Sequence, residues 1–275
     1  MITRLPLCPS LFIMLSLAAC GSSQPDATTQ ATPMAYEEGV FEPLDSDRTV
    51  IIHCGNSMRP GAEALAARFQ RETGIGVRFN FGGSSQLIAA IELGQQGDLY
   101  LPHDPYAAML DSKELLDRYV VLGHIEPLLI VAPGNPLVIT ELKDLARPGL
   151  RVGLTDPRYA TAGKLTVAAV ESLGIADAFM ANVAMEGRSH NDVALGVLQG
   201  HLDVGVVWNF IAHHYQDQLD TVPSGFDFAE TRVTLCLLTH AENRREAEAF
   251  MTFADSDQAR TLFAEYGYVR ESRQP

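Results

Sequence analysis

From position 49 onward, short apolar runs alternate with amphipathic stretches. The runs at 49–54, 76–81, 98–101, 128–132, 150–154, 183–186, 204–208 and 233–238 are β-branched or alternating and predict strands. Between the first two, 58–73 places Ala62, Leu65, Ala66 and Phe69 on one helical face, and Gly74 stands where a left-handed cap would end that helix. The stretches 163–173, 192–199, 209–218, 244–254 and 257–266 predict helices in the same way. Strands alternating with helices predict an α/β protein whose sheets are covered by helices, and no internal repeat is present.

Ahead of this body the pattern changes twice. Residues 1–19 hold one basic residue, Arg4, and an apolar run at 5–17 that is too short to span a membrane but suits an export signal. The signal ends in Leu17-Ala18-Ala19-Cys20, which resembles the bacterial lipobox. That resemblance implies cleavage before Cys20 and lipidation of Cys20. Residues 20–46 are Ser, Thr, Gln, Ala, Pro and acids without periodicity, and they predict a flexible tether. The expected result is an extracytoplasmic body held to a membrane by its first residue.

Composition narrows the choice further. The chain has 275 residues, 47% hydrophobic and 20% charged, with 22 Gly, 15 Pro and 4 Cys, which excludes low-complexity, collagen and disulfide-framework classes. The formal net charge is -14, and no Lys/Arg run exceeds Arg244-Arg245, so neither nucleic acid nor an anionic lipid surface is an expected partner. Removing 1–19 takes away Arg4 and no acid, so the acidity belongs to the rest of the chain. Cys8 leaves with the signal and Cys20 is modified. Cys54 and Cys236 remain in an oxidising compartment, either as a disulfide or as two buried thiols.

Four strand-to-helix turns carry the candidate chemistry: 53–58 (His-Cys-Gly-Asn-Ser-Met), 82–85 (Gly-Gly-Ser-Ser), 156–163 (Asp-Pro-Arg-Tyr-Ala-Thr-Ala-Gly) and 188–192 (Arg-Ser-His-Asn-Asp). Each alone is an ordinary helix cap. Their recurrence is informative, because several helix starts with hydroxyls hold an anion without any formal counter-charge. An acidic protein can therefore take an anionic ligand.

In their order, these turns resemble the molybdate-binding, ModA-like branch of periplasmic solute-binding proteins, over about 47–270. The strongest local match is Phe81-Gly82-Gly83-Ser84-Ser85-Gln86-Leu87-Ile88-Ala89-Ala90-Ile91, similar to the second ligand loop and helix of that family. Gly97-Asp98-Leu99-Tyr100-Leu101, Leu142-Lys143-Asp144-Leu145, Val152-Gly153-Leu154-Thr155-Asp156-Pro157, Thr161-Ala162-Gly163 and the segment 200–208 follow in the family's sequence. The resemblance implies a type II periplasmic binding protein fold: two α/β lobes joined by two crossing segments, with the ligand cleft between them. Lobe one would be 47–124 plus 225–275 and lobe two 125–224, with crossings near 123–127 and 221–228. It also implies a non-enzymatic, monomeric capture protein for molybdate or tungstate, without a cofactor, serving an ABC permease and its ATPase. Carried over residue by residue, Ser57, with Asn56 beside it, and Ser84 or Ser85 supply hydroxyls. Ala162 and Val193 supply backbone N–H groups, and Trp208 stands where the family has a Tyr. Such a donor-only site would accept a fully ionised dianion and disfavour a protonated one.

The sequence departs from that pattern at His53-Cys54, Met58, Pro102-His103-Asp104 and Trp208. Cys54, Met58, His103 and His190 are soft-metal ligand types, so an alternative keeps the fold and binds Cu(I), Zn(II) or another small anion. Each also reads as a core, capping or surface residue, and His213-His214 point to different faces of their helix. Arg59, Lys164 and Arg188 are expected on the solvated surface, and Asp156 as a loop-structuring acceptor. A ligand sensor, or more remotely an exported hydrolase using Cys54 as nucleophile, are the other readings.

Overall fold

The computed structural model describes residues 48–228 and 231–269. The expected signal, the tether and Cys20 lie outside the described residues. Two five-stranded sheets organise the described residues.

The first sheet contains β1 (Thr49–Gly55), β2 (Gly76–Gly82), β3 (Leu99–Leu101), β4 (Leu116–Ile125) and β10 (Thr231–Leu238), in the order β2-β1-β3-β10-β4. β1 is parallel to both β2 and β3, whereas β10 runs antiparallel to β3 and β4. Alternation along the strands supplies two apolar faces. One packs on α1 (Arg59–Thr73), α8 (Arg244–Ala254) and α9 (Asp257–Ala264) through Val50, Ile52, Leu65, Phe69, Phe250 and Phe263. The other packs on α2 (Ser84–Glu92) and α3 (Tyr106–Asp111) through Tyr100, Leu87, Ile91 and Leu110. Buried Asp98 ties the layers, accepting from Ile51 N at 2.8 Å, Asn243 N at 2.8 Å and Asn243 Nδ2 at 3.0 Å.

The second sheet contains β5 (Pro127–Val131), β6 (Val152–Thr155), β7 (Val183–Gly187), β8 (Val204–Trp208) and β9 (Asp220–Val222), in the order β7-β6-β8-β5-β9. α4 (Thr161–Ser172), α5 (Ala176–Asn182) and a 3-10 turn at Leu142–Ala146 cover one face. α6 (His190–Leu198) and α7 (Asn209–His214) cover the other. Ile125 ends β4 in the first sheet and Pro127 opens β5 in the second, so Glu126 alone carries the chain across. The return runs between β9 and β10. Two α/β lobes linked twice are the architecture implied by the resemblance.

All eight predicted strands and six predicted helices are present, and Gly74 is in the left-handed region (φ 69°) as the cap of α1. β4, β9, α3 and α5 were not anticipated. Cys54 and Cys236 are free and buried. They sit on β1 and β10 with β3 between them, and Cys54 faces the α1 side while Cys236 faces the α2 side, which leaves no route to a disulfide.

Candidate functional site

In the first lobe the relevant turns leave the C-terminal ends of β1 and β2. After Gly55, a 3-10 turn at Asn56–Met58 leads into α1, with Pro60 suited to the first helical turn. Asn56 is exposed, Ser57 is half-buried and Met58 is fully buried. The Ser57 carbonyl accepts a hydrogen bond from Tyr268 Oη at 2.7 Å, which fixes the turn. After β2, Gly83 N donates to Gln86 Oε1 at 3.4 Å, and Ser84 and Ser85 open α2. Tyr100 Oη donates to the Ser84 carbonyl at 3.1 Å, while the Ser85 hydroxyl lies 3.4 Å from Tyr106 Oη. A Cβ on Gly55 would stand 3.6 Å from Ser84 Oγ, so the turns carrying Ser57 and Ser84 are neighbours.

In the second lobe, α4, α6 and α7 begin just beyond the ends of β6, β7 and β8. The loop after Thr155 is held by Asp156, whose N donates to the Gly187 carbonyl at 3.0 Å and whose carboxylate accepts from Arg158 N at 2.8 Å and Nε at 2.9 Å. The α4 start approaches β6 so closely that a Cβ on Gly163 would lie 2.0 Å from the Thr155 carbonyl oxygen. Ala162, the second residue of α4, is buried there. Ser189 caps α6 by a reciprocal pair with Asp192, at 3.2 and 3.0 Å. His190 and Asn191 occupy the first helical positions, and Val193 the fourth, its side chain buried in the second lobe's core. At the end of β8, Asn209 N donates to the Glu126 carbonyl at 2.9 Å and Asn209 Oδ1 accepts from Glu126 N at 3.3 Å. The start of α7 therefore clasps the crossing residue directly after Trp208.

Residues of the second lobe meet the first along a seam. Ala162, Trp208 and Phe210 join the buried cluster of the first lobe that contains Cys54 and Met58. The Trp208 ring lies 6.0 Å from His103 of the first lobe and 5.9 Å from His190 of its own, and Phe210 stacks on Tyr268 at 5.1 Å. His103 Nδ1 is 2.7 Å from the Asp104 carbonyl oxygen. Burial lowers the His103 imidazolium despite that carbonyl and the Asp104 charge. Burial, with His103 adding to it, pushes His190 down to about 3. Both rings are neutral near pH 7. Thr155 Oγ1, His190 Nδ1 and Asn209 Nδ2 are buried on the second lobe without hydrogen-bond partners. Buried polar atoms ordinarily find one; both ring nitrogens of His53, in the first lobe, are buried in the same way.

Of the residues singled out in the sequence, Ser57 and Ser84 lie on neighbouring turns of the first lobe, and Ala162 and Trp208 reach that lobe from the second. Asn56 and Ser85 are exposed and Val193 is in the core. Among the described residues no three His, Cys, Asp or Glu side chains form a group that could hold a metal ion; Cys54 and Met58 are buried in the cluster that Trp208 joins, and His103 and His190 flank the Trp208 ring. The Cys54 thiol is fully buried, and desolvation raises its pKa well above the ordinary value, the opposite of an activated nucleophile. Arg59 lies over Phe81 at 4.3 Å and pairs with Glu63 at 2.9 Å, while Lys164 and Arg188 are exposed. Thr155 and Asn209 were not singled out. The signal available for Asn209 was its place as a helix-opening Asn after Trp208.

Two α/β lobes linked twice have the architecture of the type II periplasmic binding protein fold. The chain belongs to the family of bacterial extracellular solute-binding proteins, whose profile matches residues 50–269. It is 26% identical over 206 residues to the molybdate-binding protein ModA of Mycobacterium tuberculosis, covering 72% of this chain and 71% of that protein. Among solved structures, the periplasmic molybdate-binding protein of Azotobacter vinelandii superposes with a TM-score of 0.68 at 20% identity, over 81% of this chain and 100% of that one. Iron-bound HitA of Pseudomonas aeruginosa superposes with a TM-score of 0.70 at 19% identity, over 82% and 88%. The fold is thus shared by proteins whose ligands differ. Among the described residues no helix is long and apolar enough to cross a membrane.

Proposed function

We propose that this chain captures a tetrahedral oxyanion, molybdate or tungstate, between its lobes and delivers it to an ABC permease and its ATPase. Lipidated Cys20 and the 20–46 tether keep it outside the cytoplasm beside the membrane. The protein binds without catalysing.

One observation carries this reading: the groups gathered along the seam are neutral hydrogen-bonding groups at helix starts of both lobes. Ser57 and Ser84 stand on one side, and the α4 start at Ala162 with Thr155, His190 and Asn209 on the other. Helix starts present open N–H groups and partial positive charge, and ligands of open α/β sheets sit beyond the carboxyl ends of the strands. On α6 the open N–H groups are those of His190 and Asn191; Val193, the fourth helical residue, follows them. The similarity to ModA proteins supports the choice of anion. The buried Cys54, whose pKa desolvation raises, does not support the hydrolase reading.

Calorimetric titration of the purified chain with molybdate, tungstate, sulfate, Zn(II) and Cu(I) tests this. Molybdate or tungstate is expected to bind at one site, and Ser57→Ala or Ser84→Ala to weaken it about tenfold, the worth of one hydrogen bond to a charged group. No heat with either anion overturns the function, and unchanged affinity in both variants overturns the site.

A further inference from the structure

Two imidazoles, one from each lobe, reach the same indole, and neither is part of the family pattern described above. His103 follows β3, bridges the backbone of Val233 and lies 6.0 Å from Trp208; His190 opens α6 and lies 5.9 Å from the same ring. His103 Nδ1 sits 2.7 Å from the Asp104 carbonyl, a group that only accepts, so Nδ1 carries the hydrogen and Nε2 keeps its lone pair. His190 Nδ1 is buried without a partner. A neutral imidazole has one donor and one acceptor nitrogen, so each ring brings one lone pair to a seam otherwise made of donors. A fully ionised oxyanion is itself an acceptor and gives those lone pairs nothing. One added hydrogen turns one of these two lone pairs into a donor toward the anion.

We infer that the cleft binds its oxyanion together with a proton from solvent, shared between the anion and the His103–His190 pair. This rests on the oxyanion reading above and changes its selectivity, because the site then no longer counts as donor-only. The charges around the rings are few. Beside His103 stand the Asp104 carboxylate, already bound by Arg232 Nε at 2.8 Å, and Tyr106, whose ring lies 5.4 Å away. His190 is faced by Trp208, Phe210 and His103, and Asp192 on its own helix is exposed and bonded to Ser189. Burial keeps both rings neutral until a doubly charged guest favours their protonated form.

The test is calorimetry of the full chain with molybdate, tungstate and sulfate, each fully ionised between about pH 6 and pH 8, in buffers of different ionisation heat. The expected result is uptake of about one proton per anion bound, with Kd rising about tenfold per pH unit across that range. The double variant His103→Asn, His190→Asn retains amide donors and nothing that titrates; it is expected to bind with a Kd independent of pH. Wild-type binding without proton uptake overturns this inference and leaves the oxyanion reading standing. Uptake that persists in the double variant also overturns it. If no anion binds at any pH, both fall. The wild-type proton count decides even if the double variant fails to fold.

Discussion

Trp208 is the chain's single tryptophan, buried at the seam between His103 and His190. Its emission should therefore shift or quench on titration with the correct anion and stay unchanged with an anion that does not bind. A saturable calorimetric signal with no change in Trp208 fluorescence would place the ligand elsewhere. His190 carries a second expectation. Its folded pKa lies near 3 against an ordinary 6.5, so below about 6.5 the unfolded chain holds a proton that the folded chain does not. Stability from a neutral His190 is present above that value and is lost as pH falls. In the absence of anion, the urea midpoint of the wild type should fall faster than that of His190→Gln as pH is lowered from about 6.5 to about 5; parallel curves would contradict the assignment. At this scale the sequence was partly legible. Ser57, Ser84, Ala162 and Trp208 were singled out from strand-end turns and a family pattern, and the proposed site uses them. Thr155 and Asn209 were not, because a Thr ending a strand and an Asn opening a helix look the same whether or not their polar atoms find partners.

The elements that place these residues are held by close backbone approach and aromatic packing. Gly163 lets α4 start against the end of β6, and any Cβ there would meet the Thr155 carbonyl at 2.0 Å. Gly163→Ala should cost about 1–3 kcal/mol in urea unfolding and weaken anion binding by displacing Ala162; a variant as stable as wild type would contradict that contact. Phe69 is fully buried and packs edge-to-face on Phe250 at 4.9 Å. Phe69→Ala should lose about 3–5 kcal/mol while sparing affinity in the protein that remains folded. The predicted strands were those with a strong apolar run, and they form both sheets. β4 was missed because Asp117, Arg118 and Tyr119 are exposed along its first half, so its membership of the sheet comes from pairing with β10 more than from its own pattern. β9 is three residues long, and α5 has only Phe179 and Asn182 buried, too little for a periodic signal. The helix expected over 209–218 stops at His214, followed by turns that bury Tyr215 and Leu219.

At the scale of the molecule, a net charge of -14 is compatible with the proposed anionic ligand, because the seam offers neutral donors and helix ends, while the described arginines are largely spent on surface pairs such as Arg151–Asp203 and Arg158–Asp156. Asn209 joins this seam to the crossing at Glu126 by two hydrogen bonds, which would couple the proposed site to the link between lobes. A guest gripped by both lobes favours the state in which they meet. Molybdate at a hundredfold excess over Kd should stabilise the chain by about 2.7 kcal/mol, read as a rise in the thermal midpoint. The most direct test of the central claim is a crystal structure of the chain grown with tungstate, whose anomalous signal marks the anion. The claim predicts one strong peak between the Ser57 and Ser84 turns and the starts of α4 and α6. A peak elsewhere with that seam unoccupied would contradict it.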